Sequence, residues 1–179
     1  MAPFHRFVFA TADVQNPGHA VLMTKALLVA ANLVILAVYV IGSQRWVSTG
    51  SEYYQSLERP AWQPPDMVFG IVWPYNFVML AVVGVLVVLR ETPVNRGIWL
   101  GCFAVSVIAA LAWANLFYLQ QNPPASAIAL TIAVLATVPM LVVAFRFSVW
   151  AGIAMVPYVV WLCLATSLAY GFAALNPRS

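Results

Sequence analysis

Hydrophobic and polar positions in this chain are separated into long apolar runs joined by shorter polar connections. Each run is close to the roughly 20 residues that an α-helix needs to cross the hydrocarbon core of a bilayer. Strands of membrane barrels instead alternate apolar and polar positions in segments of about ten residues. The pattern therefore predicts five membrane-spanning helices, over residues 20–41, 67–89, 97–119, 126–147 and 149–172.

The connections between these runs differ in length. Those after the second, third and fourth runs are short, so consecutive helices are expected to pack as antiparallel neighbours. The first connection, residues 42–66, is long enough to fold back over the bundle. We therefore expect an all-α integral membrane protein, in which residues 20–179 form a single five-helix bundle with a lid-like loop between its first two membrane helices.

Composition supports a membrane protein. The chain is 64% hydrophobic and 7% charged, with a mean hydropathy of +0.91, whereas about a quarter of the residues in soluble domains are charged. This predicts a multi-pass protein of a bacterial inner membrane or an organelle membrane. The isoelectric point of 9.1 rests on 13 charged residues in all, so it indicates no nucleic-acid partner.

The basic residues are distributed unevenly between the two ends of the predicted helices. One side of the membrane receives Arg6, Lys25, Arg90, Arg96 and Arg146, and the other receives Arg45, Arg59 and Arg178. Loops on the cytoplasmic side usually carry the excess of lysine and arginine. The distribution therefore predicts a cytoplasmic N-terminus and a first connection on the opposite face.

Residues 1–19 differ from the rest of the chain. Aromatic and aliphatic residues flank His5 and Arg6, and a polar stretch rich in helix breakers follows. This pattern fits an extension that lies on the membrane surface or docks on a partner. It fits an unstructured terminus equally well.

The sequence gives little support for catalysis or metal binding. All five carboxylates and both histidines fall outside the predicted spans. This placement leaves no intramembrane acid or base for proton-coupled transport and no ligand cluster for a metal. Cys102 and Cys163 fall inside spans, where a thiol behaves as a small hydrophobic group, so we expect no disulfide. We predict neither catalytic nor metal-binding residues.

Three prolines stiffen the first connection around Trp62. Pro60, Pro64 and Pro65 fix their own backbone torsions and restrict the residues before them. A tryptophan on such a pre-ordered backbone loses little entropy on binding a ligand. The connection is thus a candidate lid that presents Trp62, although Trp62 is equally suited to the aromatic belt at the membrane interface.

Three further tryptophans lie within the predicted spans. Trp73, Trp113 and Trp161 are placed away from the interfaces where tryptophan concentrates. An indole in mid-bilayer offers a flat face to a planar ligand and one N–H donor. These residues are candidates for a cavity wall, and helix packing is the alternative explanation for each.

Several motifs together resemble those of the TspO/MBR family, the translocator or tryptophan-rich sensory proteins. The first connection carries Tyr54-x-x-Leu57-x-x-Pro60-x-Trp62-x-Pro64-Pro65, and the last span carries Val156-Pro157-Tyr158-x-x-Trp161. Between these motifs lie Trp73, then Trp113 with Phe117 and Tyr118, then Trp150-Ala151-Gly152. The resemblance covers residues 52–176 in the family's order.

The resemblance implies a five-helix bundle, commonly dimeric, whose first loop closes over a pocket. The implied ligands are tetrapyrroles such as porphyrins, and also carotenoids, sterols or other lipids. The ligand-binding residues that we expect on this basis are Tyr54, Trp62, Pro64, Pro65, Trp73, Trp113, Phe117, Tyr158 and Trp161.

The chain also departs from the family pattern. Tyr53, Met67 and Pro74 replace two tryptophans and a hydroxyl residue, and Ala110 and Ala169 stand where the family has asparagines. Two polar anchors are therefore missing. The resemblance then implies a more apolar ligand or the loss of ligand binding.

Two function classes follow. One is a ligand-binding protein that acts as sensor, carrier or regulator for a planar hydrophobic molecule. The other is an accessory subunit that kept the scaffold and docks in a larger membrane complex. Small residues four apart, such as Gly97 and Gly101, allow close helix approach and are consistent with a homodimer or with packing inside one bundle.

Overall fold

The computed structural model describes residues 17–49 and 51–177. Residues 1–16 lie outside this part, and so does most of the N-terminal extension expected over residues 1–19. All regular secondary structure in the described residues is helical. The helices are α1 (Pro17–Thr49), α2 (Ser51–Ser56), α3 (Asp66–Arg90), α4 (Pro93–Ala114), α5 (Pro123–Phe147) and α6 (Val149–Leu175).

Five of these helices are long and apolar enough to cross a membrane, which confirms the predicted five-helix membrane bundle. They are α1, α3, α4, α5 and α6, while α2 is a single short helix of six residues. A turn of π-helix, Asn115–Leu119, continues α4 toward the same end of the bundle as α2. The first helix extends to Thr49, eight residues beyond the expected end at Ile41.

The short connections are set by local hydrogen bonds at the starts of the helices. Thr92, Asn122 and Ser148 each accept a hydrogen bond from a backbone N–H three residues ahead, at the starts of α4, α5 and α6. Pro93 and Pro123 follow two of these caps at the position that proline tolerates best. Such abrupt turns force consecutive helices to run antiparallel.

The membrane helices form a closed ring in the order α1, α3, α6, α5, α4. The α5–α6 and α4–α5 pairs have the most extensive contacts, and α1 makes its main contacts with its neighbours α3 and α4 and with the π-helical turn. Space therefore remains between α1 and α6 at the end where the long connection lies.

A buried polar contact joins three helices in the hydrocarbon region. The Trp99 Nε1–H of α4 donates to Asn32 Oδ1 of α1 at 2.9 Å, and Asn32 Nδ2 donates to the Leu80 carbonyl of α3 at 3.5 Å. Both side chains are fully buried. Gly84 of α3 provides the room, since a Cβ at this position would overlap the Asn32 amide.

We use the term connecting segment for residues 51–65, which comprise α2 and the extended chain that follows it. Tyr53, Tyr54 and Leu57 of this segment pack on a small cluster formed by Phe117, Leu168 and Phe172. Pro60 is buried against Gly171 of α6. The connecting segment therefore lies across one end of the bundle, on the π-helical turn and the last turns of α6.

Candidate functional site

A cavity of about 290 Å³ lies beneath the connecting segment. Its wall is formed by α1, α3, the end of α4 with the π-helical turn, and α6. Residues from these elements and from the connecting segment line it: Tyr39, Ser43, Gln44, Val47, Tyr54, Gln63, Phe69, Trp73, Phe77, Trp113, Phe117, Tyr118, Trp161, Ala165, Leu168, Ala169 and Phe172.

The structure brings five of the expected ligand-binding residues together around this cavity. They come from four different parts of the chain and are Tyr54, Trp73, Trp113, Phe117 and Trp161. Tryptophans at mid-helix positions thus converge on one space, as expected for a cavity wall.

The other four expected residues lie elsewhere. Trp62 is 54% exposed and packs on the outer side of α6, where its Nε1–H donates to Ser167 Oγ at 3.3 Å. Pro64 and Pro65 do not line the cavity and precede α3. Tyr158 is fully buried and also lies outside the lining set.

The aromatic rings of the wall contact one another mostly edge to face. Trp161 meets Phe69 at 5.0 Å between ring centroids and Trp73 at 6.4 Å, with interplanar angles of 78° and 86°. Trp73 also stacks on Phe77 at 5.3 Å. Rings locked by mutual contact form a rigid apolar wall, which is suited to a flat, apolar molecule.

The π-helical turn sets the opposite side of the cavity. The Gln120 N–H donates to the Asn115 carbonyl five residues earlier, and Gln120 Nε2 donates to Asn115 Oδ1 at 2.7 Å. Both Phe117 and Tyr118 of this turn line the cavity. Single π turns inside α-helices frequently occur at functional sites.

Sequence reasoning missed the contribution of α1. Tyr39, Ser43, Gln44 and Val47 all line the cavity, but the predicted first span ended at residue 41 and placed the last three of them in the first connection. One signal in the sequence could have indicated this contribution. The four residues are spaced three and four residues apart, as on one face of a continuous helix. Gln63 of the connecting segment was also missed.

Small residues of α6 make room for the cavity. Ala165 and Ala169, which are four residues apart on this helix, both line it. Ala169 occupies a position where the resemblance implies asparagine, so its methyl group makes this part of the wall apolar. Ala110, the second such position, is buried in the core and does not line the cavity.

The cavity wall is uncharged among the described residues that line it. Within the wall, four side-chain polar atoms are buried without a hydrogen-bond partner: Tyr39 OH, Gln63 Oε1, Trp113 Nε1 and Trp161 Nε1. Three of these atoms carry a hydrogen that can be donated, and one accepts. A ligand with hydrogen-bonding atoms at its edge complements such a wall better than a pure hydrocarbon does.

Tyr54 and Gln63 form a polar contact where the connecting segment meets the cavity. Gln63 Nε2 donates to the Tyr54 hydroxyl oxygen at 2.7 Å, and the Arg59 guanidinium lies 5.0 Å from the centre of the Tyr54 ring. Burial raises the pKa of Tyr54 above its usual value, against the opposing effects of Arg59 and Gln63. The hydroxyl therefore remains neutral at physiological pH.

Comparison with known proteins decides the family. The sequence profile of the TspO/MBR family matches residues 21–175, which is most of the chain. The chain belongs to the TspO/MBR family. The match spans all five membrane helices and the connecting segment.

Relatives of this TspO/MBR protein come from bacteria and from humans. The tryptophan-rich protein TspO of Chlorobaculum tepidum is 31% identical over 145 residues, covering 79% of this chain and 90% of that protein. Protein CrtK of Rhodobacter capsulatus is 24% identical, covering 82% of this chain and 95% of that protein. The human translocator protein is 25% identical, covering 73% and 78%. None of these names denotes an enzyme.

Proposed function

We propose that this TspO/MBR protein binds a planar hydrophobic ligand in the cavity beneath the connecting segment. The observation that carries the proposal is the convergence of Trp73, Trp113 and Trp161 with other aromatic rings on one uncharged space. A ligand that enters this space removes its apolar surface from water or lipid headgroups and can stack on the indole faces. The connecting segment acts as a lid that closes through Tyr54 and Gln63.

A tetrapyrrole of the porphyrin type is the first candidate ligand, and a carotenoid, a sterol or another lipid is the alternative. The cavity volume of about 290 Å³ lies just below the range of roughly 300–1,000 Å³ that is typical of pockets for small molecules. A full macrocycle therefore requires outward movement of the connecting segment. A molecule of a few fused rings fits without it.

The protein serves as a sensor, carrier or regulator in this proposal and not as an enzyme. No carboxylate, imidazole or thiol is present among the described residues that line the cavity, and the hydroxyl groups there belong to tyrosines and one serine. Binding energy supplied by aromatic contact is sufficient for a sensing or carrying role.

Tryptophan fluorescence in lipid nanodiscs tests the proposal. Protoporphyrin IX should quench the emission with a saturable, micromolar dependence, because the indoles of the wall contact the ligand. Ala165→Trp fills the cavity from α6 and should weaken binding by at least about tenfold. Ile153→Trp, which faces outward on the same helix, is the matched control and should bind as the wild type does.

Equal quenching in the wild type and the Ala165→Trp variant would refute binding in this cavity. In that case the accessory-subunit role becomes the better explanation. Purification in mild detergent would then show stoichiometric co-migration with a larger complex, instead of a free monomer or homodimer.

A further inference from the structure

A layer of buried polar side chains lies directly below the aromatic wall. It consists of Tyr39 of α1, Asn76 of α3, Ser106 of α4 and Tyr158 of α6, which we call the polar layer. All four residues are at most 1% exposed. Four helices thus each direct one polar residue to the interior of the bundle, where phenylalanine or leucine would pack without any hydrogen-bonding requirement.

Helix register places Asn76 and Tyr158 at the same depth. Trp73 contacts Trp161 across the antiparallel α3–α6 pair, and the Tyr75 hydroxyl donates to the Ala154 carbonyl further along. Asn76 lies three residues beyond Trp73, and Tyr158 lies three residues before Trp161. Both therefore lie about 4.5 Å deeper than the two tryptophans, at the rise of about 1.5 Å per residue.

Tyr39 and Ser106 complete the layer from the other two helices. The Tyr39 ring meets Trp73 and Phe77 edge-on, with centroids 5.8 and 5.5 Å apart. The Tyr158 hydroxyl approaches the hydroxyls of Tyr39 and Ser106 without forming a well-aligned hydrogen bond. Tyr39 connects the two regions, because its ring also lines the cavity.

Hydrogen bonding within the layer is incomplete. Ser106 Oγ donates to the Ala133 carbonyl at 3.1 Å. Both polar atoms of the Asn76 amide have no partner in this structure. The hydroxyls of Tyr39 and Tyr158 lie near each other, and that of Tyr158 also lies near Ser106, but neither forms a well-aligned hydrogen bond. Unpaired polar groups are costly in a medium that offers no water, and several on adjacent helices indicate a site that is completed by another molecule.

We propose that the polar layer is an inner subsite that binds an uncharged oxygen, a hydroxyl or a ketone, at the inner end of the planar ligand. This inference rests on the proposed binding function and adds a chemical requirement to it. The ligand oxygen is uncharged because none of the four residues carries a charge to pair with. The Tyr39 hydroxyl is covered in this structure, so engagement of the ligand moves this side chain.

A matched pair of fluorescent probes separates the subsite from the cavity. 1-Hydroxypyrene and 1-methylpyrene have the same flat ring system and differ by a hydroxyl or a methyl group of similar size. Binding is measured by energy transfer from tryptophan to pyrene in phosphatidylcholine nanodiscs, with the Ala165→Trp variant correcting for partition into lipid. The wild type should prefer the hydroxyl probe about threefold to tenfold, as one net hydrogen bond provides.

Isosteric variants of the layer should remove this preference. In the triple variant Tyr39→Phe/Asn76→Leu/Tyr158→Phe the two probes should bind equally. The single variants Tyr39→Phe and Tyr158→Phe should each reduce the preference, which keeps the test valid if the triple variant misfolds. Tyr170→Phe, which removes an outward-facing hydroxyl of α6, should leave the preference unchanged.

The outcomes distinguish the two proposals. Saturable binding of both probes with no preference in the wild type would overturn the subsite and leave the binding function intact. A preference that survives in the Tyr→Phe variants would also overturn it. Absence of saturable binding by either probe would refute the binding function, and the subsite with it.

Discussion

The side chain of Asn176 pairs with the backbone of Glu58 through two hydrogen bonds, across 118 positions of sequence. The Glu58 N–H donates to Asn176 Oδ1 at 2.9 Å, and Asn176 Nδ2 donates to the Glu58 carbonyl at 3.0 Å. The same Nδ2 also donates to the Phe172 carbonyl at 3.0 Å, which fixes the amide at the end of α6. One residue thus fastens the connecting segment to the bundle.

Removal of this amide should loosen the connecting segment. In Asn176→Ala, both bonds to Glu58 are lost, and local opening of the segment should increase about threefold to tenfold. Endoproteinase Glu-C, which cuts after glutamate, should cleave at Glu58 faster by this factor. Asn95→Ala, at the other end of the bundle, serves as control. An equal acceleration of cleavage at Glu58 in this control variant would contradict the fastening role of Asn176.

Gly171 should be intolerant of any side chain. A Cβ there would lie 2.8 Å from both Pro60 Cγ and Trp62 Cζ2, which are atoms of rigid rings. Gly171→Ala should therefore destabilise the fold by about 1–3 kcal/mol through overpacking. Gly101→Ala meets no atom within 4 Å and should raise or leave unchanged the melting temperature. Similar melting temperatures for the two variants would contradict the steric argument.

The fold was predictable from sequence because its causes are local and periodic. Membrane-length apolar runs and capping residues such as Asn122 and Ser148 determine which segments are helices, and no distant contact is needed. The placement of Trp62 was not predictable in this way. Proline stiffness predicts an ordered backbone around this residue, but the side of the segment that faces α6 depends on Gly171 and Ser167, more than 100 positions away.

The cavity was predictable in part for a similar reason. Mid-helix tryptophans such as Trp73 and Trp161 are unusual on their own and pointed to a common space. The contribution of α1 to the cavity was not predictable in this way, because the predicted first span ends at residue 41, before Ser43 and Gln44. The unpaired Asn76 is invisible in the sequence, since only the packing of its neighbours shows that its amide has no partner.

The Asn32–Trp99 hydrogen bond should provide measurable coupling inside the membrane. Asn32→Ala leaves the Trp99 N–H unpaired, and we expect a loss of about 1–2 kcal/mol in unfolding free energy. A double-mutant cycle with Trp99→Phe should give a favourable coupling of roughly 0.6 kcal/mol or more, measured by unfolding in mild detergent. A cycle of Asn32→Ala with the exposed Trp150→Phe should be additive, and additivity in both cycles would rule out the coupling.

Alkaline pH should weaken the contribution of the Tyr54 hydroxyl to the stability of the folded protein. Burial raises the pKa of this hydroxyl in the folded protein, whereas the unfolded chain releases the proton near pH 10. The contribution is thus fully present below about pH 10 and is lost as the pH rises further. The difference in melting temperature between wild type and Tyr54→Phe should stay constant from about pH 7 to 9 and become smaller above 10. A constant difference up to pH 11 would contradict the raised pKa.

Ala110 and Ala169 stand where the family has asparagines, and substitution by asparagine should have different effects at the two positions. Ala169 lines the cavity, so Ala169→Asn should change ligand binding and have little effect on melting temperature. Ala110 is as buried as Ala169, each at 3% exposed, but it does not border the cavity, so Ala110→Asn should destabilise the fold by about 1–3 kcal/mol through overpacking.

Ala169→Val separates polarity from size, since valine is much closer to asparagine in volume than leucine is. Both variants reduce the cavity and should weaken 1-methylpyrene binding, but only asparagine adds a donor and an acceptor to the wall. For 1-hydroxypyrene, Ala169→Asn should therefore bind more tightly than Ala169→Val by about threefold to tenfold, as one hydrogen bond provides. Equal affinities of the two variants for this probe would show that position 169 affects the cavity through volume alone, and that the alanine does not tune the wall toward apolar ligands.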